Sequence, residues 1–230
     1  RGAPVGIGLY QAGGFAAVAS CGIAMPLLGA GLTILFKPVA VKTQPPTSYL
    51  SVLSRIWAPG LGMALASSGI GTISAFLTLH YAAMKWLGAG QALMAFGVAY
   101  ILMRLLFGSL PDKLGGFATA TASLAVEALG LLTIWLAHSP LVALAGATLT
   151  GLGYSLVFPS LGVEALKRTP SYNRGLVLGA YLACFDLGLA LAGPLAGGVA
   201  TVLGVQTVFV AAAAAALIAI VVTVVAPSKP

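Results

Sequence analysis

Seven long stretches of this chain are apolar and almost free of charge, and they limit its fold more than any other feature. A helix needs about 20 apolar residues to cross a bilayer, and we predict such spans at 14–36, 57–80, 90–111, 116–138, 140–163, 174–199 and 204–226. Only 11 basic and 4 acidic residues occur among 230, too few to cover a soluble protein. We therefore predict an all-α, polytopic membrane helix bundle, and exclude soluble enzymes and nucleic-acid-binding modules.

The basic residues divide unequally between the two sets of connections. If the 37–56 loop is cytoplasmic, only Lys85 lies on the opposite side. The basic residues of the cytoplasmic side would be Lys37, Lys42, Arg55, Lys113, Lys167, Arg168, Arg174 and Lys229. This bias predicts a cytoplasmic C-terminus. It also explains most of the net charge of +7, so the bilayer is the expected partner and no nucleic acid is needed.

The longest and most polar connection divides the chain into two predicted parts. Residues 37–56 contain Pro45 and Pro46, which disfavour a continuous helix, so this segment is predicted to be a cytoplasmic linker. Residues 1–36 before it combine one full span with a stub, 1–12, that is too short to cross alone. Residues 57–230 after it are predicted to form a six-helix bundle.

An internal repeat is predicted between residues 3–14 and 193–204. At an offset of 190, Pro4 aligns with Pro194, Gly8 with Gly198 and Gly14 with Gly204. Glycine and alanine are common in this chain, so chance similarity stays an alternative. A true repeat predicts twelve spans in two halves of six, since transporters are often built from repeats. We then expect most of an N-terminal half to precede residue 1.

Three stretches resemble the major facilitator superfamily of secondary transporters. Residues 108–116, GSLPDKLGG, resemble the loop pattern G-x-x-x-D-[RK]-x-G-[RK], although Gly116 replaces its last basic residue. Residues 188–198, GLALAGPLAGG, resemble a glycine pattern of antiporters, where it marks the fifth helix. Residues 151–175 are similar to the tenth helix and following loop of bacterial efflux-type members. The resemblance implies a major facilitator fold, with this chain running from the end of helix five to helix twelve.

Three ionisable residues lie within predicted spans. A charge inside the bilayer costs several kcal/mol, so each is a functional candidate. Glu127 and Asp186 lie near the middle of their spans, where either could carry a proton or could remain protonated without cycling. Arg104 lies about two turns from the cytoplasmic end of its span. It could pair with Glu127 or extend to the lipid headgroups.

Two helices carry stripes of small or polar residues. One consists of Ser67, Gly71, Ser74 and Thr78, and the other of Thr148, Gly151, Ser155, Phe158 and Gly162, with Tyr154 beside it. Such stripes commonly serve close helix packing. The alternative is the wall of a substrate cavity, with Ser67, Ser74, Thr78, Tyr154 and Ser155 as candidates. The resemblance favours the cavity, because these would be helices seven and ten of the family fold.

Two glycine-containing segments suggest mechanical roles. Gly108, Asp112, Lys113 and Gly115 predict a tight cytoplasmic turn, and the resemblance implies that this turn acts as a gate. Proline removes a backbone hydrogen bond, and glycines permit close approach of a neighbouring helix. The 174–199 helix is therefore predicted to be bent and thinned by Gly193, Pro194, Gly197 and Gly198.

His80, His138 and Trp86 lie near the predicted outer boundary of the membrane. Tryptophans at this depth are usually interfacial anchors. A histidine there could change its charge near neutral pH, so a pH switch stays open as an alternative.

The predicted function is secondary active transport of a small organic solute by alternating access. The antiporter-like glycine pattern favours proton-coupled efflux across a bacterial inner membrane, driven by the proton gradient without a cofactor or metal. A sugar or metabolite importer is the alternative within transport, and a non-transporting scaffold is a remote one. HExxH and GxSxG motifs are absent from the sequence, so no enzyme is predicted.

Overall fold

The structure is a computed structural model that describes residues 2–34, 48–169 and 174–225. Within these ranges it contains nine helices and no strand. The helices are α1 (Gly2–Ile34), α2 (Tyr49–Arg55), α3 (Trp57–Ala83), α4 (Ala89–Phe107), α5 (Leu110–Leu114), α6 (Gly116–Trp135), α7 (Pro140–Lys167), α8 (Arg174–Leu203) and α9 (Thr207–Val225).

The all-α membrane architecture is confirmed. Seven helices of the described chain are long and apolar enough to cross a bilayer, and each coincides with one predicted span. Helices α7 and α8 extend about one turn past the predicted ends of their spans. Hydropathy detects the part of a helix inside the membrane, whereas backbone hydrogen bonds continue beyond it. Helix α2 lies within the predicted linker, but Pro45 and Pro46 lie outside the described residues.

The chain divides into two compact units, Arg1–Pro45 and Pro46–Pro230. The first contains α1, whose helical geometry is interrupted at Gly13 (φ −147°, ψ 17°) and Gly14 (φ 64°, ψ −161°). Two helices therefore meet at these glycines, where the stub 1–12 is predicted to end.

The second unit contains α2 to α9, and its six long helices run in alternating directions. Helix α6 packs between α7 and α9, while α3 contacts α7, α8 and α9. Helix α4 packs mainly on α7. One end of this bundle contains His80 and the turns α3–α4, α6–α7 and α8–α9, and we call it the His80 end. The opposite end contains α5 and the last turn of α7, and we call it the Glu164 end.

Glycines bring α6 and α7 into close contact. A Cβ atom added to Gly130 would lie 2.8 Å from the Gly146 carbonyl oxygen, so the two backbones pass too closely for a larger residue. Around the bundle, by contrast, large apolar side chains such as Leu105, Leu195 and Leu217 are exposed. This outward apolar surface is what a membrane-embedded bundle presents to lipid.

The two copies of the predicted repeat share one backbone feature. Gly14 and Gly204, which the repeat aligns, have φ angles of 64° and 90°. L side chains rarely adopt positive φ, so each position favours glycine for the same reason. Gly14 interrupts α1, and Gly204 follows the end of α8. The positive φ angle is the feature that the two positions share, and the repeat stays a prediction.

Candidate functional site

Glu127 is buried at the centre of the second unit. The residue is 0% exposed, and neither of its carboxyl oxygens has a hydrogen-bond partner among the described residues. A Cβ atom added to Gly69 of α3 would collide with this carboxyl group. A Cβ atom at Gly153 of α7 would lie 2.7 Å from the Glu127 Cα atom. Two glycines thus leave the space that Glu127 occupies, and a site without a partner suits a neutral carboxylic acid rather than a carboxylate.

The cross-helix pair between Arg104 and Glu127 is not formed. Arg104 Nη1 instead donates to the Ser155 carbonyl oxygen at 3.3 Å. Glu127 faces α3 and α7, whereas Arg104 lies on α4, which packs mainly on α7. The Glu127 carboxyl group lies against Gly69 of α3, whereas the Arg104 guanidinium group binds the backbone of α7 at Ser155. The predicted pair is therefore wrong for this conformation.

The stripe on α7 is occupied by contacts with two neighbouring helices. Ser155 Oγ donates to the Tyr100 carbonyl oxygen of α4 at 2.7 Å. A Cβ atom at Gly151 would lie 3.2 Å from the Phe96 Cα atom, also on α4. Farther along the helix, the Phe158 ring lies 5.2 Å from the Tyr181 ring of α8. This geometry favours the packing interpretation of the stripe.

Tyr154, the second cavity candidate on α7, is also buried. Its ring stacks on Tyr100 at 6.1 Å, and the residue is 3% exposed. Its neighbour in the chain, Gly153, lies against the backbone of Glu127. Tyr154 therefore belongs to the surroundings of the buried acid.

The stripe on α3 changes its environment along its length. Ser67 is buried, donates to the Ala64 carbonyl oxygen at 2.7 Å and lies against Gly188 of α8. Ser74 and Thr78 are exposed. Half of this stripe is thus packed on α8, while the other half remains open.

Asp186 lies on an open face of α8. It is exposed, and Gly193 and Gly197 follow it at intervals of seven and four residues, which places all three on one side of the helix. At Gly193, Gly197 and Gly198, an added Cβ atom would meet nothing within 4 Å in the described chain. The helix continues past Pro194 to Leu203. The structure thus joins the intramembrane acid and the glycine segment into one surface.

The turn at the Glu164 end contains α5, with Asp112 and Lys113 exposed and Gly115 at φ 92°. In the described chain, neither Asp112 nor Lys113 has a side-chain hydrogen bond or ion pair. A different acid joins this turn to α7, because Glu164 Oε1 accepts from the Gly116 amide at 3.1 Å. Glu164 therefore binds the N-terminus of α6.

Gly116 departs from the family loop pattern for a steric reason. A Cβ atom there would lie 2.5 Å from Glu164 Cγ and would also collide with the Ser160 carbonyl oxygen. A basic side chain cannot occupy this place while the Glu164 contact is present.

Sequence reasoning identified Glu127 but missed Gly69, Gly153 and Glu164. The two glycines are inconspicuous among 30 glycines. Glu164 follows a predicted span and was not considered as a partner of the turn. Two features of the sequence could have indicated the role of Glu164. One is the missing basic residue at Gly116, and the other is the i, i+3 spacing of Glu164 and Lys167.

Comparisons with known proteins agree with this architecture. Residues 60–230 match the sequence model described as Major Facilitator Superfamily. Proteins named as uncharacterized MFS-type transporters from Burkholderia mallei (strain SAVP1) and Burkholderia pseudomallei (strain K96243) are each 46% identical over 215 residues. That alignment covers 94% of this chain and 53% of each relative. A third, from Pseudomonas aeruginosa (strain LESB58), is 49% identical over 166 residues, covering 72% of this chain and 41% of the relative. The chain thus spans about half the length of the Burkholderia relatives.

Proposed function

The chain belongs to the major facilitator superfamily and is a multi-pass membrane protein, and from this we propose that it forms part of a secondary transporter. The transporter would move a small organic solute by alternating access. The match over residues 60–230 carries this proposal, because it covers all six long helices of the second unit almost completely. No enzyme is indicated.

The open face of α8 is proposed to line the solute route. Asp186, Gly193 and Gly197 are on the surface of the second unit, and the matched part of this chain covers 53% of a Burkholderia relative. An N-terminal half would supply the opposing wall, with the solute near the bilayer midplane. Ser74 and Thr78 of α3 are also exposed and could bind solute there, whereas Ser155 and Tyr154 would act through packing.

Glu127 is proposed to carry the coupling proton. An acid buried without a partner can hold a proton in one conformation and release it in another that admits water. Its surroundings support such a cycle, because Gly69 and Gly153 belong to two different helices, α3 and α7. A small relative movement of those helices would change the space around the carboxyl group.

Efflux is the proposed direction, on the basis of the antiporter-like glycine pattern at 188–198. The bacterial inner membrane is the proposed location, with the C-terminus in the cytoplasm as the charge distribution predicts. The turn containing Gly108, Asp112, Lys113 and Gly115 would then lie on the cytoplasmic side, where the moving halves would meet.

The test uses inside-out membrane vesicles from cells that express the complete reading frame. Respiration acidifies the vesicle interior and quenches acridine orange, and solutes are then added singly from a panel of drugs, sugars and metabolites. An exporter that exchanges solute for protons reverses the quench with its own solute. Glu127→Gln, which mimics the neutral acid, is expected to abolish that reversal.

Asp186→Asn is the matched variant, because it removes the other intramembrane carboxyl group from an exposed position. We expect it to weaken the response to solute without abolishing proton exchange. Full reversal of the quench by the Glu127→Gln protein would refute the proton role. Solute uptake that requires an inward proton gradient in right-side-out vesicles would support the importer instead.

A further inference from the structure

A cleft of about 380 Å³ lies at the His80 end of the second unit. The ends of α3 and α6 and the turn between α8 and α9 surround it. Its lining includes His80, Met84, Trp135, Leu136, Gln206 and Thr207. Its volume is within the range of small-molecule sites.

His80 lines this cleft and carries a buried polar atom without a partner among the described residues. The residue is 1% exposed, and its ring is held edge-on by Trp86 at 5.6 Å and by Phe209 at 5.3 Å. Its Nε2 atom has no hydrogen-bond partner among the described residues. Because buried polar groups are nearly always hydrogen-bonded, this atom is a candidate hydrogen-bond partner for a molecule in the cleft.

Two neighbouring side chains are fixed by hydrogen bonds in which they donate. Gln206 Nε2 donates to the Trp135 carbonyl oxygen, and Thr207 Oγ1 donates to the Leu203 carbonyl oxygen at 2.8 Å. The Gln206 amide oxygen and the Thr207 hydroxyl oxygen therefore keep accepting capacity. The Gln206 bond connects the α8–α9 turn to the end of α6, and the Thr207 bond connects the start of α9 to the end of α8.

The charge of the lining limits the chemistry of a ligand. It contains no lysine, arginine, aspartate or glutamate. A charged ligand would therefore have no permanently charged side chain of opposite sign to pair with, which makes its binding unfavourable. The apolar side chains of Met84, Leu136 and Leu203 would contact the nonpolar part of a neutral molecule.

We propose that this cleft binds a small neutral molecule that carries hydroxyl groups. A hydroxyl group can donate to His80 Nε2 or accept from it, according to the tautomer of the ring. A second hydroxyl group of the same molecule can donate to Gln206 or Thr207. Trp135 supplies an aromatic surface beside these polar groups. The cleft belongs entirely to the second unit, so the inference does not rest on the proposed transport function.

Tryptophan fluorescence gives a direct test, because two of the three tryptophans, Trp86 and Trp135, lie at the cleft or against His80. The protein is placed in lipid nanodiscs, free of glycoside detergents, with Trp57→Phe removing the distant signal. Glycerol and glucose are titrated as neutral probes, with glucose 6-phosphate as the charged comparison. A saturable change with glycerol or glucose, and a weaker one with the phosphate, is the expected result.

His80→Phe keeps an aromatic ring against Trp86 and Phe209 but removes Nε2, and should abolish binding. Thr207→Val preserves the branched shape and should weaken binding by up to about tenfold, the effect of one lost hydrogen bond. If the His80→Phe protein does not fold, Thr207→Val decides. The proposal is overturned if neither neutral probe gives saturation, which would mean that water alone fills the cleft. It is also overturned if the folded variants bind as the parent does, or if the phosphate binds more tightly.

Discussion

At the scale of single residues, glycines at the contacts between helices determine how closely the helices of the second unit approach one another. Gly153 faces the backbone of Glu127, and Gly130 faces that of Gly146 and Thr150. In these places a methyl group would meet main-chain atoms, which cannot move aside as a flexible side chain can. The buried acid therefore depends on glycines of other helices.

Gly153→Ala should destabilise the second unit by about 1–3 kcal/mol, the usual cost of overpacking a filled interior. Gly97→Ala on α4 is the matched control, since an added methyl group there meets nothing within 4 Å. It should be neutral or stabilise the helix by up to about 1 kcal/mol. Thermal unfolding in detergent measures both, and equal melting temperatures for the two variants would contradict the assigned contact.

The identity of the buried acid was predictable, but its surroundings were not. Glu127 stands out because acids are rare within apolar spans. Which helix it faces depends on rotations that the sequence specifies only weakly, so Arg104 was a reasonable but wrong partner. The neighbours Gly69 and Gly153 carry no chemical signal of their own and emerge only from the packing.

At the scale of helices, hydropathy predicts position well and orientation poorly. All seven spans were predicted because a bilayer demands long apolar runs. The stripe of α7 shows the limit, since Ser155 and Gly151 contact α4 whereas Phe158 contacts α8. A periodic stripe shows that one face differs from the others, but close packing and a cavity wall can produce the same pattern.

The contact between α7 and the start of α6 yields a further prediction. Glu164 accepts a hydrogen bond from the Gly116 amide, and a negative charge at a helix N-terminus is stabilising. Glu164→Ala should therefore speed hydrogen exchange in residues 116–120 and cost about 1 kcal/mol in stability.

Lys167→Ala provides the control for this prediction, because it removes only the exposed partner of Glu164. The Lys167 side chain is 57% exposed, so its ion pair contributes little. Exchange in residues 116–120 should stay unchanged in that variant. If both variants exchanged equally fast, the ion pair rather than the helix terminus would hold the turn.

At the scale of the whole molecule, the proposed transport depends on the orientation of the chain in the membrane and on a second half. The charge distribution places Lys113 and Lys85 on opposite sides of the membrane. In the structure, Lys113 lies in α5 at the Glu164 end, and Lys85 follows α3 at the His80 end. Both residues are exposed, so both can report on topology.

A cysteine at position 85 should react with a membrane-impermeant maleimide on intact cells. A cysteine at position 113 should react only after permeabilisation. The background protein carries Cys21→Ser and Cys184→Ser, which removes both native thiols. Labelling in the opposite order would reverse the predicted topology and place the C-terminus outside.

Counterflow tests the central claim of secondary transport most directly. Proteoliposomes that contain the product of the complete reading frame are loaded with an unlabelled solute that reverses the acridine orange quench. They are then diluted into trace labelled solute without a proton gradient. Secondary transport predicts transient accumulation of label above its external concentration, because a carrier exchanges solute across two alternating conformations. Passive equilibration without an overshoot, at the same rate as in protein-free liposomes, would contradict it.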